Sequence, residues 1–200
     1  LYEAASPEDG FFLDQSIHFN LQAARATLAR VYLTQGNIDS AFYYADKVIR
    51  EGGLELVEKT EIAGDVIGAL SQKETIFGLY AKESFYTRTK EDLYDAVSFK
   101  SLNPWNGIAT VYQQGGGEND YRLAAWFQTI SNNLRFVKLT DPYQLSTGNN
   151  RPAGQIPGVN LIRLPEMYYI AAECLLRKND PKAADYFNAV LESRGLVALD

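Results

Sequence analysis

The sequence is poor in residues that do chemistry. Among 200 residues there is one cysteine, one histidine and one methionine. A lone cysteine excludes an internal disulfide, so cysteine usage carries no information about redox compartment. Cys174 stands in Ala-Ala-Glu-Cys-Leu-Leu, an apolar helical setting that predicts a buried, inert thiol. His18 sits beside Phe19 with no second ligand at useful spacing, so we expect a surface or half-buried ring. Neither a metal site nor a cofactor is expected. No stretch approaches the roughly 20 apolar residues that span a bilayer, and no signal peptide is legible. Basic charge is also short. Lys and Arg number 19 against 25 Asp and Glu, a net charge of -6. Such a surface repels a phosphate backbone, which excludes nucleic acid as a partner on average.

Aromatics are plentiful, with 13 Tyr, 10 Phe and 2 Trp. Some must fill a core. A surplus of Tyr and Trp also suits sugar binding, where a flat ring covers the apolar face of a pyranose. Two segments carry helical apolar periodicity. The first runs from about Ser16 to Gln35, with Ala24, Leu28, Val31 and Tyr32 on one face. It turns at Gly36-Asn37 and continues as a second helix from about Asp39 to Glu51. The inner face of that helix is Ala41, Phe42, Ala45, Val48 and Ile49. Leu28, Ala29, Tyr32, Gly36 and Ala41 match the spacing of a tetratricopeptide hairpin. The second segment covers 163–178 and 182–194, joined by Asn179-Asp180-Pro181 and closed by Gly195, with Pro181 suited to a first helical turn. At an offset of 143 residues Gly36 falls on Asn179, Ala29 on Ala172 and Ala41 on Ala184. The two units are not adjacent, so a plain solenoid is excluded.

The sequence therefore predicts a mainly α fold over residues 1–200. Hairpins at about 16–51 and 163–194 flank a large, loop-rich insertion at about 54–160. Thr75–Tyr80 reads as a short strand within it, and Tyr121–Ile130 as a helix. Residues 140–160 are expected to form a long loop, because Pro142, Gly148, Pro152, Gly154, Pro157 and Gly158 oppose regular structure.

The ordered set of segments resembles the SusD/RagB family. Ala23-Ala24-Arg25-Ala26-Thr27-Leu28-Ala29-Arg30-Val31-Tyr32-Leu33, with Gly36-Asn37 and Ala45-Asp46-Lys47-Val48-Ile49, resembles that family's first tetratricopeptide-like hairpin. Asn160-Leu161-Ile162-Arg163-Leu164-Pro165-Glu166-Met167-Tyr168-Tyr169-Ile170-Ala171-Ala172-Glu173 resembles its most recognisable helix. Phe187-Asn188-Ala189-Val190 and Ser193-Arg194-Gly195-Leu196 look like the continuation. Glu74-Thr75-Ile76-Phe77, Asn119-Asp120-Tyr121-Arg122 and Phe136-Val137-Lys138 follow the family's order. The resemblance implies a non-catalytic glycan-binding lipoprotein on the outer face of a Bacteroidetes outer membrane, acting in polysaccharide utilization. It also implies a SusC-like TonB-dependent transporter as partner. The family's signal peptide, its lipidated cysteine and its later amphipathic helix are not in these residues. The chain is thus expected to be a fragment truncated at both ends, with membrane attachment only through a lipid anchor outside it. The other reading is a tetratricopeptide-type protein–protein scaffold.

Catalysis has little to stand on. Glu166 and Glu173 share a helix face, yet two turns separate their backbones by ~10 Å. Structural pairing with Arg163, Arg177 or a loop backbone is the expectation. Gly115-Gly116-Gly117 lacks the Gly-Lys-Ser/Thr ending of a phosphate loop, and Asp120 with Arg122 reads as a cap or ion pair. The ligand candidates are aromatic. Trp105 stands in Asn103-Pro104-Trp105-Asn106-Gly107, a turn that presents the indole away from any helical stripe. Asn106 beside it offers an amide, and Tyr112 and Tyr143 follow on similar grounds. Trp126, in Leu-Ala-Ala-Trp-Phe, is expected in the core.

Overall fold

The computed structural model describes residues 15–58, 70–71, 73–80, 112, 120–130, 133–136 and 158–199. The fold is mainly α. Helix α1 (Leu21–Thr34) begins at Asn20, whose side-chain oxygen accepts a hydrogen bond from the Ala23 N–H at 2.9 Å. This cap satisfies one of the unpaired donors of the first turn. Helix α2 (Ile38–Glu51) starts in the same way, with Asn37 accepting from Ser40 N–H at 3.1 Å. Between them Gly36 takes φ +75°, a left-handed conformation that favours glycine.

Alanines line the seam between the two helices. Ala23, Ala26 and Ala29 of α1 and Ala41 and Ala45 of α2 are fully buried. Short side chains let the helix axes approach closely. This corrects the predicted α1 face, since Leu28 is 36% and Val31 43% exposed. Both sides of α1 are apolar, so periodicity alone points to the bulkier side. The close approach requires the smaller one.

Strand β1 (Thr75–Tyr80) lies where the sequence predicts a strand. Helix α3 (Tyr121–Trp126) is short, and the chain turns directly into β2 (Phe127–Ile130), which pairs antiparallel with β3 (Asn133–Phe136). The predicted helix over 121–130 is thus half helix and half strand. Phe127, Thr129 and Ile130 are β-branched or aromatic and favour a strand once the partner is in place. Strand β4 (Gly158–Arg163) pairs antiparallel with β1 from Thr75↔Arg163 to Tyr80↔Gly158. Residues 158–160, expected as the end of a loop, are therefore in a strand. Residues 140–157 lie outside the described residues.

Helix α4 (Leu164–Leu176) follows β4 without a linker, and Pro165 occupies its first turn. It is the most buried of the described helices, with Leu164, Met167, Ala171 and Cys174 at 1% exposure or less. Helix α5 (Ala183–Ser193) completes the second hairpin. The turns of the two hairpins are equivalent at the offset read from the sequence. Asn37 N–H donates to Tyr32 O and Gly36 N–H to Leu33 O. At positions 143 higher, Asp180 N–H donates to Leu175 O and Asn179 N–H to Leu176 O. Asn179 adopts φ +57° where the first hairpin has Gly36. The hairpins pack on each other through α2, α4 and α5. Phe42 meets Tyr186 edge-on at 5.9 Å, and Tyr186 donates from its hydroxyl to Asp46. No described helix is long and apolar enough to cross a membrane.

Candidate functional site

The segments that carry the family resemblance are far apart in sequence, and the fold brings four of them to one place. Glu74, just before β1, is fully buried. Its Oε1 accepts from Arg194 Nη2 at 2.6 Å and from the Val57 N–H at 2.9 Å. Its Oε2 accepts from Arg163 Nη2. Arg194 also donates to Val57 O at 3.2 Å, and the Arg194 carbonyl accepts from Tyr121 N–H at 3.0 Å, which fastens the start of α3. One carboxylate thus ties together the end of β4, the end of α5 and the chain at residue 57. Two guanidiniums share it, and Arg163 Nε is buried without a hydrogen-bond partner. Burial pulls the Arg163 pKa below the ordinary arginine value, against the opposing pull of Glu74.

Beside this centre α3 builds a second charged pair. Asp120 is buried and caps α3 by accepting from the Arg122 N–H at 3.0 Å. The Arg122 guanidinium grips the same carboxylate with two contacts, Nε at 2.9 Å and Nη2 at 2.7 Å. This fork is the preferred Arg–carboxylate geometry. It raises the Arg122 pKa, chiefly through the hydrogen bond to Asp120. The cap and ion pair read from Asp120 and Arg122 are therefore present. Trp126 is half-buried against Val57 and Ala125, in line with its core reading.

Of the four ligand candidates, Tyr112 is described. It is half-buried, edge-on to Phe127 at 5.5 Å, with Arg122 Cζ 5.6 Å from its ring centre. The contact is a cation–π interaction. Burial is the first cause of the raised Tyr112 pKa. Trp105, Asn106 and Tyr143 lie outside the described residues. Tyr169, which the sequence reading did not single out, is 39% exposed on α4 and packs against Phe187 at 5.9 Å. Its neighbour Tyr168 falls on the apolar side of the helix read over 163–178 and Tyr169 does not, so periodicity gave no signal for Tyr169.

The carboxylates weighed for catalysis are committed elsewhere. Glu166 accepts a guanidinium fork from Arg30 of α1, a partner outside the expected set of Arg163, Arg177 or a loop backbone. The partner is 136 residues away, beyond the reach of helix spacing arguments. Glu173 pairs with Arg177 one turn on, as expected. Cys174 is buried, and burial raises the pKa of its thiol, which disfavours the reactive thiolate. Among the described residues no group of three His, Cys, Asp or Glu side chains could hold a metal ion.

No family model matches the sequence, and no curated protein matches it. Solved structures do match. A SusD-like carbohydrate-binding protein from Bacteroides vulgatus aligns over 96% of this chain and 40% of its own, with TM-score 0.69 and 20% identity. A SusD-superfamily protein from Bacteroides thetaiotaomicron aligns over 90% of this chain and 42% of its own, with TM-score 0.65 and 22% identity. A structure solved with a xylogluco-oligosaccharide aligns over 92% of this chain and 46% of its own, with TM-score 0.67 and 18% identity. The chain spans about two fifths of the length of the first two.

Proposed function

We propose that this chain, which has the SusD-like fold, belongs to a protein that captures a glycan at a bacterial cell surface and performs no chemistry on it. One observation carries the reading: the likeness to a SusD-like carbohydrate-binding protein covers 96% of the chain. The xylogluco-oligosaccharide in another structure of the same fold supports a saccharide as the ligand class. In this reading the glycan meets aromatic side chains of the insertion, with Trp105, Asn106, Tyr112 and Tyr143 as contacts. Stacked rings supply apolar contact and amides supply direction, as sugar recognition requires. Delivery is to a SusC-like TonB-dependent transporter, and attachment to the outer membrane is through a lipid anchor. Non-catalytic binding fits the pairing of Glu166 and Glu173 with arginines, which leaves neither poised as an acid or base.

A second reading draws on the outer side of α1. Leu21, Leu28 and Val31 are exposed there, and an apolar stripe on a tetratricopeptide-like hairpin suits a protein partner. Glycan-array screening of the full-length protein separates the two. We expect at least one oligosaccharide to bind, and Trp105→Ala to weaken it about tenfold or more while the melting temperature barely moves. Absence of any glycan ligand, or a Trp105→Ala protein that loses its fold but binds normally where folded, sinks the assignment.

A further inference from the structure

We infer that Arg122 is a positioning residue for the glycan site: it holds the Tyr112 ring in the orientation in which a pyranose stacks on it. This rests on the glycan-binding reading above, in which Tyr112 is a contact, and says how that contact is set. Helix α3 touches the ring from both of its ends. At the N-terminal end the Arg122 guanidinium lies over the ring, with Cζ 5.6 Å from its centre. At the C-terminal end Phe127, where α3 passes into β2, meets the ring at 5.5 Å and an interplanar angle of 69°. A contact on the face and a contact at the edge together restrict the tilt and the swing of a tyrosine ring.

Both contacts are themselves held. Phe127 is buried. Arg122 is gripped through Nε and Nη2 by Asp120, whose side chain is 3% exposed, and the same carboxylate caps α3 by accepting the Arg122 N–H. A helix of six residues is too short to hold itself in water. Its place comes from the Asp120 cap and from the Arg194 carbonyl, which accepts the Tyr121 N–H, while the Arg194 guanidinium is fixed on Glu74. The contacts therefore run from a fully buried carboxylate out to Tyr112. Tyr112 is half-buried and the Arg122 side chain is 27% exposed, so the pair lies at the boundary of the protein rather than in its core. The guanidinium takes one face of the ring, and a pyranose must take the other. A ring already held gives up little rotamer freedom when the sugar arrives. Arginine suits this role because its planar group forks a carboxylate and stacks on a ring at once, which lysine cannot do.

Isothermal titration calorimetry of the full-length protein tests this as a double-mutant cycle. The probes are a xylogluco-oligosaccharide, maltoheptaose, an oligogalacturonide and the tightest glycan found on the array. For the probe that binds best, we expect Tyr112→Ala to weaken affinity about tenfold. Arg122→Lys, which keeps the charge beside Asp120 but not the fork, should weaken it about threefold to tenfold. In the Tyr112→Ala background Arg122→Lys should have no further effect, because it acts through the ring. Asp120→Asn, which keeps a capping oxygen but loosens the grip on Arg122, should show the same pattern with a smaller loss, and it decides the matter if Arg122→Lys does not fold. Unchanged affinity in Tyr112→Ala or in the folded Arg122→Lys protein, or a loss that persists in full without the Tyr112 ring, overturns the positioning role and leaves the glycan reading standing. A protein that binds none of the probes and no array glycan ends both.

Discussion

The helical hairpins and the strand region between them are held by opposite means. The seam between the hairpins is apolar, and its polar contacts sit at the rim. Arg30 reaches Glu166, Lys178 reaches Asp39, and Tyr186 reaches Asp46, all at exposed or half-exposed positions. Exposed pairs of this kind contribute about 0–1 kcal/mol each. Burial of side chains such as Met167, Val48 and Val190 matters more, at roughly 1.5–3 kcal/mol each. The strand region reverses this order. Its centre is a carboxylate, and three chain segments converge on it. A frame built on apolar seams tolerates single polar losses. A region built on one buried charge does not.

Glu74→Ala should therefore give the largest effect. It leaves Arg194, 4% exposed, and Arg163 without their shared carboxylate. Removing one partner of a buried ion pair costs about 3–5 kcal/mol. For a chain of this size that is a fall of roughly 10 °C in melting temperature. Arg30→Ala, at the rim of the helical seam, should cost under about 1 kcal/mol. Thermal unfolding of the two variants checks the contrast, and similar losses would erase it.

Gly158→Ala should come next. Gly158 and Gly78 both abut the buried Leu70, which fills the space that a side chain at either position would need. A Cβ at Gly158 would stand 2.6 Å from Leu79 O and 2.7 Å from Leu70 Cγ. The first neighbour is backbone in the paired strand, so relief requires β1 and β4 to separate. Overpacking of this kind costs about 1–3 kcal/mol. At Gly78 the nearest atom is the Leu70 Cδ2 methyl, at 2.6 Å, which can rotate away. Gly78→Ala should cost less, and urea denaturation that ranks the two the other way round would count against this packing.

What the sequence could reveal follows the same division. The hairpins were legible because amphipathic helices repeat their apolar residues every three or four positions, and Gly36 and Gly195 mark their ends. The periodicity misled at α1, where an alanine stripe and a leucine–valine stripe compete and only the partner helix decides. Strand β4 was hidden by its approach, since Pro157-Gly158 reads as a loop until β1 pairs with it. The Glu74 centre has no local signature at all. Its partners Arg163 and Arg194 lie 89 and 120 residues away, so no spacing rule could join them. The resemblance alone pointed at those segments, without saying that they meet.

The smallest expected effect concerns the two turns, which share backbone hydrogen bonds but not side-chain chemistry. In the first, Asn37 accepts directly from the helical N–H of Ser40, and the residue before it is a glycine at φ +75°. In the second, Asp180 accepts from the Lys182 N–H at 3.0 Å, before the helix proper begins at Ala183. Pro181 follows Asp180, and its ring fixes φ near the helical value without help from a cap. Loss of an N-cap costs about 0.5–2 kcal/mol. The first turn should feel more of that loss, because no proline there fixes the backbone at the start of α2. The second should feel a smaller one, because proline has already restricted the unfolded chain. Asn37→Ala is thus expected to lower stability by about 1 kcal/mol and Asp180→Ala by about half as much. Chemical denaturation of both variants measures the difference. If Asp180→Ala proves the more damaging, the proline does not substitute for the cap, and the two turns reach the same backbone geometry by the same side-chain dependence.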